Sequence, residues 1–164
     1  MIAADTNVVL RYLLRDDAAH FAEVQELFEA ARAGRTTVLI PSVVLCETAW
    51  VLRRGLRRSR AEVVLLLTAL VESGGVVAED PEATRVALAV FAAGQADLAD
   101  LLIRERSRAL GASAVATFDA ALLSLDGFVR PRPSGWPDGV AERQRPWRRE
   151  RRAASGRPQR AGTR

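Results

Sequence analysis

The 164-residue chain is 49% apolar and 27% charged, the balance of an ordinary globular domain with enough length for one sizeable core. Its one cysteine, Cys46, excludes an intrachain disulfide, and with a single histidine, His20, a Cys/His zinc centre and two-histidine acid–base catalysis are excluded too. All 24 basic residues are Arg: residues 1–130 carry 14 against 17 acids, a net of −3, while residues 131–164 carry 10 against 3, a net of +7, so the overall basicity belongs to the tail and not to the body.

Met1 to Leu10 sets the pattern. A short apolar run ends abruptly in Asp5-Thr6-Asn7, and apolar residues at helical spacing follow. This predicts a strand over 2–5, a tight turn and a helix over 7–14, with one carboxylate at the carboxyl end of the strand. In open α/β sheets, ligands bind in the crevice beyond those ends. Asp16-Asp17 is a break, and a second helix is predicted over 19–33, stopped by Gly34, with His20 as a half-exposed residue near its start.

Residues 37–40 read as a second strand closed by Pro41. Ser42 is the expected cap of a helix to about Arg54, with Glu47 in its middle among Val43, Val44, Leu45, Cys46, Ala49, Val51 and Leu52. A carboxylate in such a setting needs a cation, a hydrogen-bond network or an opening to solvent. Cys46 reads as a buried, inert thiol and not as a nucleophile. Residues 53–60 hold five arginines around Gly55 and Leu56, a solvated helix end or a contact for RNA phosphate.

Ser59 is the expected cap of a helix over 61–72, ended by Gly74-Gly75. A short strand follows at 76–77, and Pro81 opens a helix to about Ala93, ended by Gly94. In Ala96-Asp97-Leu98-Ala99-Asp100-Leu101-Leu102-Ile103, the acids lie three apart on neighbouring faces of one helical turn. Capping explains Asp97 well and Asp100, inside the apolar sequence, less well. A strand at 113–118 then delivers Asp119 at its carboxyl end, repeating the arrangement at Asp5. A short helical piece at 122–125 and an edge strand at 128–129 complete the body. From 131 onward, Pro and Gly punctuate an Arg-rich stretch expected to be disordered, with Trp136 and Trp147 able to dock. There are no internal repeats.

The body is thus an α/β alternation with four acids in distinctive places. Asp5 and Asp119 end strands; Glu47 and Asp100 sit inside apolar helices. Carboxylates brought together repel, and a hard divalent cation with oxygen ligands removes that penalty while equipping the site as a metal-dependent phosphodiesterase or phosphatase. The missing second Asp after Asp5-Thr6 sets the motif apart from haloacid-dehalogenase-type phosphatases.

These motifs resemble those of the PIN-domain family, and specifically VapC-type toxins of type II toxin–antitoxin pairs. The first is Ala4-Asp5-Thr6-Asn7-Val8, the second Pro41-Ser42-Val43-Val44-Leu45-Cys46-Glu47-Thr48, the third Ala96 to Ile103 and the fourth Thr117-Phe118-Asp119. The resemblance covers residues 1–130; it departs at Arg104-Glu105-Arg106, where small residues are more usual, and gives no role to the tail. It implies a three-layer α/β/α domain with a central, mainly parallel sheet of four or five strands. It implies that Asp5, Glu47, Asp100 and Asp119 are the catalytic, metal-binding acids, with Asp97 as an additional or neighbouring ligand and Thr6, Asn7 and Thr117 as auxiliary residues. The implied cofactor is Mg2+, or Mn2+ in its place. The implied activity is endoribonucleolytic hydrolysis by metal-activated water, leaving a 5′-phosphate and a 3′-hydroxyl. The implied partners are an RNA substrate, a cognate antitoxin and a second copy of the chain.

Two other readings stand beside this one: a catalytically inactive PIN-fold module that binds RNA or antitoxin, and a basic tail that is itself the nucleic-acid-binding part. With no basic-then-apolar leader at its start and no apolar run longer than Val63 to Val71, the chain is expected to be cytoplasmic with no membrane association.

Overall fold

The computed structural model describes residues 1–94 and 96–131. The expected disorder of the tail, and docking by Trp136 or Trp147, lie outside the described residues.

Among the described residues, five short strands are interspersed with six α-helices. They are β1 (Ile2–Ala3), α1 (Thr6–Leu14), α2 (Ala18–Arg32), β2 (Val38–Ile40), α3 (Ser42–Trp50), α4 (Arg60–Val71), β3 (Val76–Ala78), α5 (Pro81–Ala92), α6 (Leu98–Ala109), β4 (Val115–Ala116) and β5 (Phe128–Val129). Every strand pair is parallel: β1 with β2, β2 with β3, and β4 with β5. The architecture is the three-layer α/β/α arrangement expected from the alternation. All five strands form where the apolar runs predict them, but most are shorter, and the sheet is split into β1-β2-β3 and β4-β5. Apolar sequence marks what is buried, whereas a ladder forms only where a neighbouring strand comes alongside. Among the described residues, no helix is long and apolar enough to cross a membrane.

The core is aliphatic with few rings. Ile40, Leu45, Leu52, Val63, Leu67, Leu70 and Leu101 are fully buried with Phe28 and Phe91. The Tyr12 ring stacks on Phe28 at 3.8 Å and 9°, fixing α1 against α2.

The starts of α1, α2, α4 and α5 follow elementary capping chemistry, whereas those of α3 and α6 have no side-chain cap. Asp17 caps α2, Asp80 caps α5, and Ser59 with Glu62 forms a reciprocal capping box on α4. Ser42, the expected cap of α3, is instead inside the helix, with Pro41 at the cap position. Pro41 brings no side-chain acceptor, so the free Ser42 N–H is satisfied by Glu79 Oε2 from the end of β3, at 2.9 Å. That bond holds the Glu79 carboxyl below its ordinary pKa. At its other end α3 passes into one π-type turn over Val51–Gly55, where Leu56 N–H reaches Val51 O at 2.9 Å.

Two arginines act within the framework. Arg60 donates to Phe91 O at 2.9 Å and Ala96 O at 2.7 Å while lying over the Phe91 ring at 4.4 Å. It therefore holds the turn between α5 and α6 against the start of α4. Arg104 explains the departure noted in the third motif. Glu105 is buried at 7% exposure, 2.8 Å from Arg104 Nε and 3.7 Å from Arg108, and Arg104 is itself 11% exposed. Removing Glu105 would leave the mostly buried Arg104 guanidinium without its carboxylate, with the Asp126 carbonyl still in reach at 3.3 Å, so Glu105→Ala is expected to cost about 3 kcal/mol, read as a lowered urea midpoint with an unchanged slope. A cost near zero would mean that solvent replaces the carboxylate.

Candidate active site

Asp5 follows β1 and caps α1. Its Oδ1 accepts the Val8 N–H at 2.8 Å, which fixes the carboxylate at the strand's carboxyl end. The buried Thr6 hydroxyl next to it donates to Glu47 Oε2 at 2.5 Å, tying the β1–α1 turn to α3. Glu47 itself is exposed, so of the three options its apolar setting allows, the helix takes the opening to solvent together with a hydrogen bond. Asn7 is exposed, without a hydrogen-bond partner among the described residues.

Asp97 stands at the cap position of α6, yet its side chain makes no capping bond, contrary to the expectation that capping explains it. The carboxylate is exposed and remains available. Asp100, one turn on, is half-buried, and its pKa is raised first by burial and then by the like charges of Asp97 and Asp119. Asp119 follows β4; its Oδ1 accepts the Ala121 N–H at 2.7 Å, and its own N–H donates to Thr117 Oγ1 at 3.0 Å. The role of Thr117 seen here is thus to shape the turn that presents Asp119.

α1 packs on α3, α3 on α6 and α6 on β4, which makes the elements that carry these acids neighbours. Two groupings are explicit: Thr6 with Glu47, and Asp97 with Asp100 and Asp119. Cys46 links α3 to the second grouping. Burial and the charge of Asp100 both push its thiol pKa up, so it is a poor nucleophile. Cys46 is only partly buried, one step more open than the sequence implied.

Asp5, Glu47, Asp97, Asp100 and Asp119 have no Arg partner at ion-pair distance among the described residues, although the body carries 14 arginines. A surface that leaves five acids without an arginine, one of them with its pKa raised by burial and by its acidic neighbours, has an unmet demand for positive charge. The donors are all oxygens, which suits a hard divalent cation such as Mg2+ or Mn2+. Their spacing is open: among the described residues, no three Asp, Glu, His or Cys side chains are grouped closely enough to hold a metal ion by themselves. Waters and phosphate oxygens commonly complete a Mg2+ shell of that kind.

Sequence reading missed two features around these acids. Glu79 sets the start of α3 from 37 residues away, and Cys46 shares the electrostatic environment of Asp100. Neither carries a local signal, because both depend on which helix packs beside which strand.

Comparison with known proteins gives one family match, the PIN domain model, over residues 2–127. No curated protein and no solved structure matches the chain. The matched span is most of the chain and takes in β1, both packed helices α3 and α6, and the Asp119 turn. The chain belongs to the PIN domain family, a nuclease-like module whose members generally use divalent metals and act on RNA or DNA.

Proposed function

We propose that this PIN domain is the toxin of a type II toxin–antitoxin pair, a VapC-type endoribonuclease that hydrolyses RNA phosphodiester bonds and depends on Mg2+, with Mn2+ able to replace it. The observation that carries the reading is the set of carboxylates without an arginine after β1, on α3, at the start of α6 and after β4, with Asp100 raised in pKa by burial and then by Asp97 and Asp119. Asp5, Glu47, Asp100 and Asp119 are the proposed ligands, with Asp97 as an additional one.

The protein's part is to hold acceptor oxygens ready. Val8 N–H fixes one oxygen of Asp5, Thr6 one oxygen of Glu47, and Ala121 N–H one oxygen of Asp119. Each of the three carboxylates keeps its other oxygen for a ligand. Asp100 sits in the first turn of α6, where the helix dipole favours negative charge against its neighbours' repulsion. When bound, a divalent cation polarises the phosphoryl group and lowers the pKa of a water for in-line attack. With one histidine, far out on α2 and paired with Asp17, the chain brings no acid–base pair that would serve in its place. The proposed partners are RNA, a cognate antitoxin and a second copy of the chain, and the proposed setting is the cytoplasm.

A second reading, an inactive RNA- or antitoxin-binding module, draws on the open spacing of the acids. One experiment separates the two. Purified protein incubated with total cellular RNA and Mg2+ or Mn2+ is expected to produce discrete new 5′-phosphate ends that disappear with EDTA and with Asp5→Asn. Folded protein, free of antitoxin, that leaves RNA intact in both metals favours the binding module.

A further inference from the structure

We propose that Trp50, Arg53 and Arg54, at the end of α3, form a shelf that holds single-stranded RNA beside the acidic site, Trp50 stacking on a base and the arginines meeting phosphate. The inference rests on the nuclease reading above and adds to it where the substrate chain lies.

Unlike the buried Phe91, the other ring that lines the cavity beside it, Trp50 is 64% exposed. It falls three residues after Glu47 on the same helix, about 4.5 Å along the axis. Cys46, Trp50, Arg53 and Arg54 recur at helical spacing and line one side of a small cavity of about 90 Å³; Asp97, Leu98 and Ala99 at the start of α6 line the other. The cavity is therefore lined by one acid, Asp97, on the α6 side and by an indole and two guanidinium groups on the α3 side.

The five arginines of 53–60 divide by what they touch. Arg60 is committed to the carbonyls of Phe91 and Ala96, Arg58 pairs with Glu62, and Arg53 donates to Arg58 O. Arg54 and Arg57 are exposed with no partner among the described residues. Arg57 is held at φ 54, in the left-handed region that residues other than glycine rarely adopt. The π-type turn at 51–55 places Arg53 and Arg54 beside the cavity. The acids leave RNA repelled on one side; the arginines supply the missing attraction on the other. An exposed indole between them provides the sequence-tolerant stacking that single strands use. A duplex keeps its bases stacked on one another, so the shelf selects unpaired RNA.

The test is binding of a fluorescently labelled, mixed-sequence, single-stranded oligoribonucleotide in EDTA, followed by anisotropy, with cleavage kinetics in Mg2+ alongside. Trp50→Ala is expected to weaken binding roughly tenfold and to raise KM while leaving kcat nearly unchanged, the scale of one lost stack. Trp50→Phe is expected to recover part of the loss. Arg54→Gln is expected to lower the slope of log K against log salt by about 0.7, one phosphate on a single strand. Duplex RNA of the same sequence should show no dependence on Trp50. Both side chains are exposed, so thermal melts should match the parent. If RNA is cut but Trp50→Ala and Arg54→Gln bind and cut as the parent does, the shelf is wrong and the nuclease reading stands. If the parent neither binds nor cuts RNA, both fall.

Discussion

Asp100→Asn is expected to raise the melting temperature of the metal-free protein by a few degrees at neutral pH while reducing RNA cleavage by at least a hundredfold, the scale of losing one charged contact to a transition state. The two effects have one cause. Burial, Asp97 and Asp119 all disfavour the Asp100 anion, so its pKa in the folded protein lies above the ordinary value of 3.8. A carboxyl raised on folding favours the native state at low pH and loses that contribution as pH rises through its folded pKa. Above that point the charge is a standing penalty in the absence of a cation, and the amide removes it. A melting series in EDTA should therefore fall between acid and neutral pH for the parent and be flatter for the variant. Adding Mg2+ should raise the melting temperature of the parent and leave the variant almost unmoved. An Asp100→Asn variant that is less stable than the parent in EDTA would mean that Asp100 is a structural hydrogen-bonding group and not a strained ligand.

Gly75→Ala is the second large effect, and it concerns the scaffold. Gly75 has φ +78, and a Cβ there would lie 2.2 Å from Ala31 O and 2.4 Å from Ala31 C. These are backbone atoms of α2 that cannot swing aside, and the Gly75 carbonyl also accepts the Val38 N–H at 2.8 Å to start the β2–β3 ladder. Strain and overpacking together predict a loss of about 3 kcal/mol or more. Gly34 supplies the control: it has φ +72 with open space around it. Gly34→Ala should cost only the left-handed conformation, about 1–2 kcal/mol. Urea melts of the two variants separate the steric part from the conformational part, and equal losses would show that α2 yields to the added methyl.

Much of this architecture can be read from residues alone. The apolar runs before Asp5 and Asp119 mark strand ends, Ser59 with Glu62 marks a helix start, and Gly94 marks a stop with φ +86. These signals are local, written by periodicity and capping. What cannot be read is set by packing between distant segments. Pro41-Ser42 looks like a self-capped helix start until Glu79 arrives from another strand. The five arginines of 53–60 look like one solvated run until Arg60 proves to clamp a distant turn. Arg104-Glu105-Arg106 looks like misplaced charge until Glu105 is found buried between arginines. The same limit applies at the acids. Sequence order brings out their positions at strand ends and within helices, while the influence of Asp119 on Asp100 depends on how the turn after β4 meets α6.

The split of the sheet has a consequence for how such a centre works. Asp5 rides on the β1-β2-β3 sheet and Asp119 on the β4-β5 sheet, so the width between them is governed by side-chain packing across a seam and not by a continuous backbone ladder. Packing contacts are individually weak and non-directional, whereas a ladder bond weakens steeply once bent. The seam is therefore the compliant direction of the domain. Its two rims are expected to draw together or part by fractions of an ångström when a ligand is bound, without the rupture of a backbone hydrogen bond.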